Sequence, residues 1–350
     1  MLIRIVWSVV LTLCMSTPFT YASDCDRLWV SANLNPPELL SEVGVFQDLK
    51  TLKPCEDVMP YSVNSPLWSD GADKKRWVIV PPRQTIHFEP EDPWLFPKQS
   101  VFIKHFEFDA PGVKPIRVET RISRIDESGQ WLGYSYRWKE DQSDAILLRE
   151  GATADVALAK GAPLHGQQKQ KWIYPSRSMC LQCHNTWSGG VLGLRTEQLN
   201  HRFTDGSVTH NLIDSWAEKG LFSKPIPPAD QLKQYVNLHD PQASREQRVR
   251  SYLAVNCAHC HQPGSAVRGS IDLRFKTSLA DTQTVNTDPN LGDLNLDDPV
   301  IIKPGDKEGS VLWLRMSRST TQHMPLIGTS ITDQEAVDLV GDWINQMSTR

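Results

Sequence analysis

The chain lacks a strong charge of either sign: 37 Lys and Arg stand against 41 Asp and Glu, a net charge of −4. Acidic and basic residues are mixed along it. That balance excludes the basic surface that nucleic acid demands, and no long basic face is offered to an anionic membrane. Long hydrophobic runs are equally scarce. Residues 1–22 hold the one apolar stretch of note, "IVWSVVLTLCM" after Arg4, which then turns small and polar towards "TYA". This reads as a secretory signal peptide cleaved after Ala22. No other window reaches the eighteen or so apolar residues of a membrane span. Leu13 precedes Cys14, where lipoprotein processing wants a small residue, so a lipid anchor there is a weak reading.

Cysteine is sparse too. Seven occur in 350 residues, and signal removal leaves Cys25, Cys55, Cys180, Cys183, Cys257 and Cys260. Export permits disulfides. Four of the six fall into "CLQCH" and "CAHCH", so Cys25 and Cys55 are the natural remaining pair, with two free thiols as the alternative.

Cys-x-x-Cys-His is the attachment signature of a c-type haem. Two thiols three residues apart on one helical turn can add across the two vinyl groups of the porphyrin, and the next residue, histidine, is held beneath the iron. Two copies predict two covalently bound haem c groups: Cys180 and Cys183 with His184, and Cys257 and Cys260 with His261. A thioredoxin-like dithiol would open a helix inside a βαβ unit, a setting neither copy has. A zinc site of the four cysteines has acceptable spacing, but leaves the repeated histidine unexplained.

Sixth iron ligands are less determined. "QHMPLIG" sets Met324 beside a proline in a loop, a suitable thioether ligand for the second iron. His323 competes with it, and core filling is the bland alternative. Met316 and Met347 sit in helical patterns and look structural. For the first iron the candidates are His201, His210 and, in a Gly-rich loop ahead of the motif, His165; an open position is the further possibility. His259, between the cysteines of "CAHCH", reads as exposed or hydrogen-bonded rather than ligating.

The organisation has three parts in a mature chain of about 330 residues, enough for two or three cores. Residues 23–150 carry short β-branched and aromatic runs, "KRWVIVPP", "SVFIKHFEF", "IRVETRISRI" and "WLGYSYRWK", broken by turn residues such as "DESG". They predict an antiparallel sandwich or barrel-like module, with "RVETRISRI" as a half-buried strand. Residues 151–242 open with the irregular "GATADVALAKGAPLHGQQKQKW", pass through the first motif, and predict short helices at "TEQLN" and "THNLIDSWAEKGLF". Residues 243–350 predict a helix running into "CAHCH" and a closing helix. The latter has Thr332 as N-cap, Glu335 completing a capping box, and Ala336, Val340, Trp343 and Met347 along one apolar stripe. The fold class is therefore multidomain α+β: an N-terminal antiparallel β module, then mainly α-helical, loop-rich cytochrome c-type haem domains. "NSPLWSDGADKKRW", with Asn64, Asp70, Asp73, Lys74, Lys75 and Arg76 around Trp68 and Trp77, reads either as a contact surface for a haem or small ligand, or as a self-bonded loop.

Residues 243–350, with "CAHCH", "IIKPGDKEGSVLWLRM", "HMPL" and the closing helix, resemble a class I-type cytochrome c domain. The resemblance implies that Trp343 packs across the first helix of that domain. The blocks "YSVNSPLWSDGADKKRWVIVPP", "VETRISR", "GYSYRWKEDQSDAILL", "WIYPSRSMCLQCHN" and "LGLRTEQLN" make the mature chain similar to a family of exported bacterial dihaem cytochromes with no assigned reaction. The expectation is a periplasmic dihaem c-type cytochrome passing single electrons between periplasmic donor and acceptor proteins. Two alternatives stand beside it. One is a peroxidase-like haem oxidoreductase with an open first iron, although "CLQCHN" lies in no familiar dihaem peroxidase pattern. The other is a β module that binds a partner or carbohydrate.

Overall fold

The computed structural model describes residues 35–110, 112–158, 169–265, 269–289, 292–317 and 322–348, the side chains of 110 and 205 excepted. The signal segment, Cys14, Cys25 and His165 lie outside the described residues.

A small hairpin of β1 (Phe46–Asp48) and β2 (Lys53–Pro54) precedes a six-stranded antiparallel sheet. Its strands are β3 (Met59–Tyr61), β4 (Asp73–Ile79), β5 (Val101–Ala110), β6 (Val113–Ile125), β7 (Trp131–Trp138) and β8 (Ala145–Leu148), in sequential order. The four aromatic and β-branched runs become β4 to β7, because alternating side chains stand on opposite faces of a pleated strand. "DESG" closes the β6–β7 hairpin, its Asp126 Oδ1 accepting the amides of Ser128 at 2.9 Å and Gln130 at 2.8 Å.

One face of the sheet is largely apolar, with His105, Thr120 and Glu107 the buried polar exceptions. Trp77 pairs with Ile103, Ile103 with Ile122, and Ile122 with Tyr134, and Leu40, Val45, Phe46 and Leu52 cover them. Each such side chain withdrawn from water contributes about 1.5–3 kcal/mol. The other face is divided. At one end Val78, Phe102 and Ile125 pack with Leu194, Leu199, Leu212 and Trp216. At the other end Phe106, Phe108 and Val118 pack with Trp172 and Tyr174. Between them lies a cross-strand row of Arg76, Lys104, Arg121 and Ser135.

That second cover corrects the reading of β6 as half-buried. Val118, Glu119 and Thr120 are consecutive and all buried, since the chain beyond residue 150 folds back over the sheet. It does so first as a hairpin of β9 (Ala152–Ala157) and β10 (Lys169–Tyr174), where the sequence suggested irregular chain. Next come α1 (Arg177–Cys183), α2 (Thr196–Leu199), the hairpin of β11 (Arg202–Asp205) and β12 (Val208–Asn211), and α3 (Leu212–Glu218). The two helices expected after the first motif are α2 and α3.

The C-terminal region is more helical: α4 (Arg245–Asn256), α5 (Val311–Met316) and α6 (Gln334–Asn345), joined by long loops. A capping box starts α4: Ser244 Oγ accepts the Gln247 amide at 3.2 Å, and Gln247 Oε1 accepts the Ser244 amide at 2.9 Å. On α6 the N-cap is Asp333, whose Oδ1 accepts the Ala336 amide at 3.2 Å. Thr332 therefore lies one residue outside the helix, and the expected box with Glu335 does not form. The stripe itself is present: Ala336, Val340 and Trp343 are buried against Val249, Tyr252 and Leu253 of α4, with Met347 packed alongside. Met316 ends α5 within the same cluster. The architecture is thus multidomain α+β, an antiparallel sheet region followed by a more helical one. Among the described residues, no helix is long and apolar enough to cross a membrane.

The loop before β4 ties the two regions together. Asp70 accepts the Ser330 amide at 2.9 Å, the Ser330 hydroxyl at 2.9 Å and the Ile331 amide at 3.1 Å. Trp68 donates its indole N–H to the Ile331 carbonyl at 3.1 Å and its amide to Asn256 Oδ1 at 2.8 Å. Nearby, the Asn64 side chain donates to the Tyr235 carbonyl. "NSPLWSDGADKKRW" is therefore a clamp on the C-terminal region rather than a loop bonded only to itself.

Candidate functional site

The first Cys-x-x-Cys-His occupies the end of α1 and the residue beyond it. Ser176 caps the helix, its Oγ accepting the Met179 amide at 3.3 Å. The helix lies against β7 at Gly133, where a Cβ would stand 3.4 Å from Cys180 Cβ. A larger side chain there would push the helix off the sheet. Beyond α1 a tight loop turns the chain: Ser188 Oγ donates to the Cys183 carbonyl at 2.6 Å and accepts the Asn185 amide at 3.2 Å.

His184 is the best-defined side chain of this loop. Its Nδ1 donates to the Gly190 carbonyl at 2.7 Å, which leaves Nε2 as the nitrogen able to bind a metal. Its ring stacks on Trp131 at 5.3 Å and 28°, and Trp131 stacks in turn on Phe102 at 5.1 Å and 23°. Burial pushes the imidazole pKa down to about 4, partly opposed by the Gly190 carbonyl and assisted by the positive charges of Lys104 and Arg121. The ring is therefore neutral at pH 7, the form that ligates.

The second motif follows α4, with Cys257 at its C-cap. Both motifs make the same backbone turn: the His184 amide donates to the Cys180 carbonyl at 2.9 Å, and the His261 amide to the Cys257 carbonyl at 2.9 Å. They also come near each other. Cys183 lies close enough to Cys260 and His259 for each to shift its titration. His259 is half-buried, and its Nδ1 is enclosed with no hydrogen-bond partner.

All four motif cysteines are free thiols. The nearby Cys260 thiol, then burial, pushes Cys183 up to about 12; burial alone pushes Cys257 up to about 12 and is foremost in raising Cys180. Only Cys260 is lowered, by the nearby Cys183. The raised pair Cys180 and Cys183 does not suit a catalytic dithiol, which depends on a depressed pKa. Nor do the four thiols assemble a zinc site: among the described residues no three His, Cys, Asp or Glu side chains converge to hold an ion. Porphyrin attachment needs no such convergence, only paired thiols and one neutral imidazole. The first motif meets that requirement through the committed Nδ1 of His184. His261 is likewise pushed down by burial, with His259 and Arg315 adding to the effect.

The remaining candidates are scattered. Met324 is half-buried, its amide donating to the Arg315 carbonyl at 2.9 Å, and Arg315 lies within electrostatic reach of His261. His323 Nδ1 is bonded to the Pro325 carbonyl at 3.0 Å. Trp343 is buried in the α4–α6 core, in the cluster that Cys257 borders. His201 bonds the Arg202 carbonyl through Nδ1 at 2.9 Å, and Ser62 through Nε2 at 3.2 Å to its carbonyl and 3.3 Å to its hydroxyl. His210 pairs with Phe203 across the β11–β12 hairpin, ring against ring at 6.2 Å. Sequence reasoning singled out Arg76 but missed Trp131, Gly190, Ser188 and the Lys104 and Arg121 neighbours that continue its row. The "SGG" after "CHNTW" was the visible signal for the turn, and nothing local marked those neighbours.

Comparisons with protein-family models, curated proteins and solved structures each return no match.

Proposed function

We propose that the chain is an exported dihaem c-type cytochrome that passes single electrons between donor and acceptor proteins of the periplasm. The observation carrying this reading is that both motifs close with the same histidine-amide to first-cysteine-carbonyl bond and lie near each other at Cys183 and Cys260, one of them with its histidine already oriented through Nδ1. Haem c, when bound, supplies a reversible one-electron iron couple at each motif. Cys180, Cys183 and His184 would hold the first, and Cys257, Cys260 and His261 the second, with Met324 as the second iron's remaining ligand.

The protein's own part is to fix and shield. The Gly190 carbonyl sets the tautomer of His184 and raises its donor strength. Trp131 holds the ring plane. Burial keeps both imidazoles uncharged. The nearness of the motifs would set two haems side by side, and the Asp70 bonds to Ser330 and Ile331 support that arrangement. Cys25 and Cys55 remain the proposed disulfide.

One observation favours a second reading. His201 spends both ring nitrogens on hydrogen bonds, which takes one candidate away from the first iron and suits a haem oxidoreductase with one open coordination site. Visible spectra of the purified protein, oxidised and reduced, with and without carbon monoxide, decide between them. Electron transfer requires two haems per chain and no carbon monoxide shift. A shift confined to one haem establishes the second reading. A mass equal to the bare processed chain, with no Soret band, removes both.

A further inference from the structure

Arg76, Lys104 and Arg121 are direct cross-strand neighbours on β4, β5 and β6, on the sheet face that α1 covers. Lys74, two residues before Arg76 on β4, stands on the same face. Four cations on one inner face are costly unless something neutralises them. The surrounding carboxylates do not suffice. Glu119 is fully buried and already shared among Arg121 at 2.9 Å, Ser135 at 2.5 Å and Trp172 at 2.9 Å. Asp70 accepts from Ser330 and Ile331, and Asp333 caps α6 while also bonding Tyr252. Among the described residues, neither Lys74, Arg76 nor Lys104 reaches a carboxylate within ion-pair distance.

What these cations do face is the first motif. The charges of Lys104 and Arg121 act on His184, and Arg121 acts on Cys180 and Cys183. Burial foremost, then the mutual repulsion of Arg76, Lys74 and Arg121, holds Lys104 well below its ordinary pKa. The same causes bring Lys74 down to about 7. An anion among them would reverse that strain.

We propose that Arg76, Lys104 and the outer edge of Arg121 form a cradle for a carboxylate or small oxyanion beside the first motif, so that the β-sheet is a functional wall of that site. The occupant is either the carboxylate of a porphyrin held at Cys180 and Cys183, which rests on the dihaem reading, or a free oxyanion, which does not. Guanidinium and ammonium groups on a rigid sheet suit either, since such groups bind carboxylates and oxyanions through charge-assisted bonds.

The test uses the whole protein as purified, compared with Lys104→Met and Arg76→Met, and with Lys104→Arg as the charge-conserving control. Haem content and the midpoint potential of each haem are measured, together with calorimetric titration by inorganic phosphate. With a porphyrin carboxylate in the cradle, haem content stays at two. One potential then falls by about 59 mV, a tenfold change in its reduction equilibrium, Lys104→Arg restores it, and phosphate does not bind. With a free oxyanion as occupant, phosphate binds the unaltered protein saturably and the methionine variants weaken it at least tenfold. Unchanged potentials with no phosphate binding overturn the cradle. If the unaltered protein carries no haem, the dihaem reading fails, and phosphate binding alone decides the cradle.

Discussion

Gly190→Ala tests how the His184 loop is held. Gly190 has φ +72°, and a Cβ there would stand 2.3 Å from Trp131 Nε1. The left-handed backbone costs an alanine about 1–2 kcal/mol, of which the stiffer unfolded chain returns about 0.4–1 kcal/mol. The steric part is separate. Trp131 is stacked between Phe102 and His184, so it cannot retreat without unstacking, and overpacking of this kind costs about 1–3 kcal/mol. Tipping the His184 ring also loses its bond to the Gly190 carbonyl, about 1 kcal/mol. Gly206 supplies the control: φ is +60° and nothing lies within 4 Å of its Cβ position. Gly206→Ala should cost about 1 kcal/mol and Gly190→Ala about 3–4 kcal/mol. Urea unfolding of the two variants beside the unaltered protein measures the difference. Equal losses, within about 0.5 kcal/mol, would mean that the Trp131 wall yields freely, and the account of His184 as a preset ligand would be wrong.

Asp70→Asn keeps a residue that tolerates φ +51° but turns an acceptor for three groups into a half-donor. It should cost about 2–4 kcal/mol, with faster hydrogen exchange at Ser330 and Ile331; unchanged exchange there would refute the clamp. Glu107 is pushed up by burial, but bonds from His105 at 3.3 Å and Lys75 at 2.6 Å more than offset this and hold it down to about 2. Its stabilisation is present above about pH 4.5 and is lost as pH falls towards 2. Glu107→Gln should lower Tm at pH 7 and flatten the acid limb of the Tm–pH curve, and an unchanged limb counts against the assignment.

The strands were legible because "KRWVIVPP" and "WLGYSYRWK" are short runs rich in β-branched and aromatic residues bounded by turn residues, with Tyr134, Tyr136 and Trp138 alternating in the second. The stripe on α6 was legible from its helical period. Its N-cap was misplaced by one residue because Thr332 and Asp333 are both competent caps, and only the fold selects Asp333, which also bonds Tyr252. The hairpin of β9 and β10 was hidden because "ATADVA" is built of small residues that bury only one side against Trp172 and Tyr174. Asp70 could not be assigned a partner from sequence, since Ser330 lies 260 residues away. Only the β4 part of the cationic row, Lys74 and Arg76, could be singled out: Lys104 and Arg121 come from other strands, and register alone makes them neighbours. The motif cysteines and histidines stood out because that chemistry is encoded within five consecutive residues.

The nearness of the Cys183 and Cys260 thiols has a consequence for the bare chain. If the chain closed up in an oxidising compartment with both still bare, the two sulfurs would be poised to couple and seal both attachment turns. On the proposed dihaem reading, cofactor loading would have to run ahead of final compaction, so that the sheet and the C-terminal helices come together around sulfur atoms already occupied.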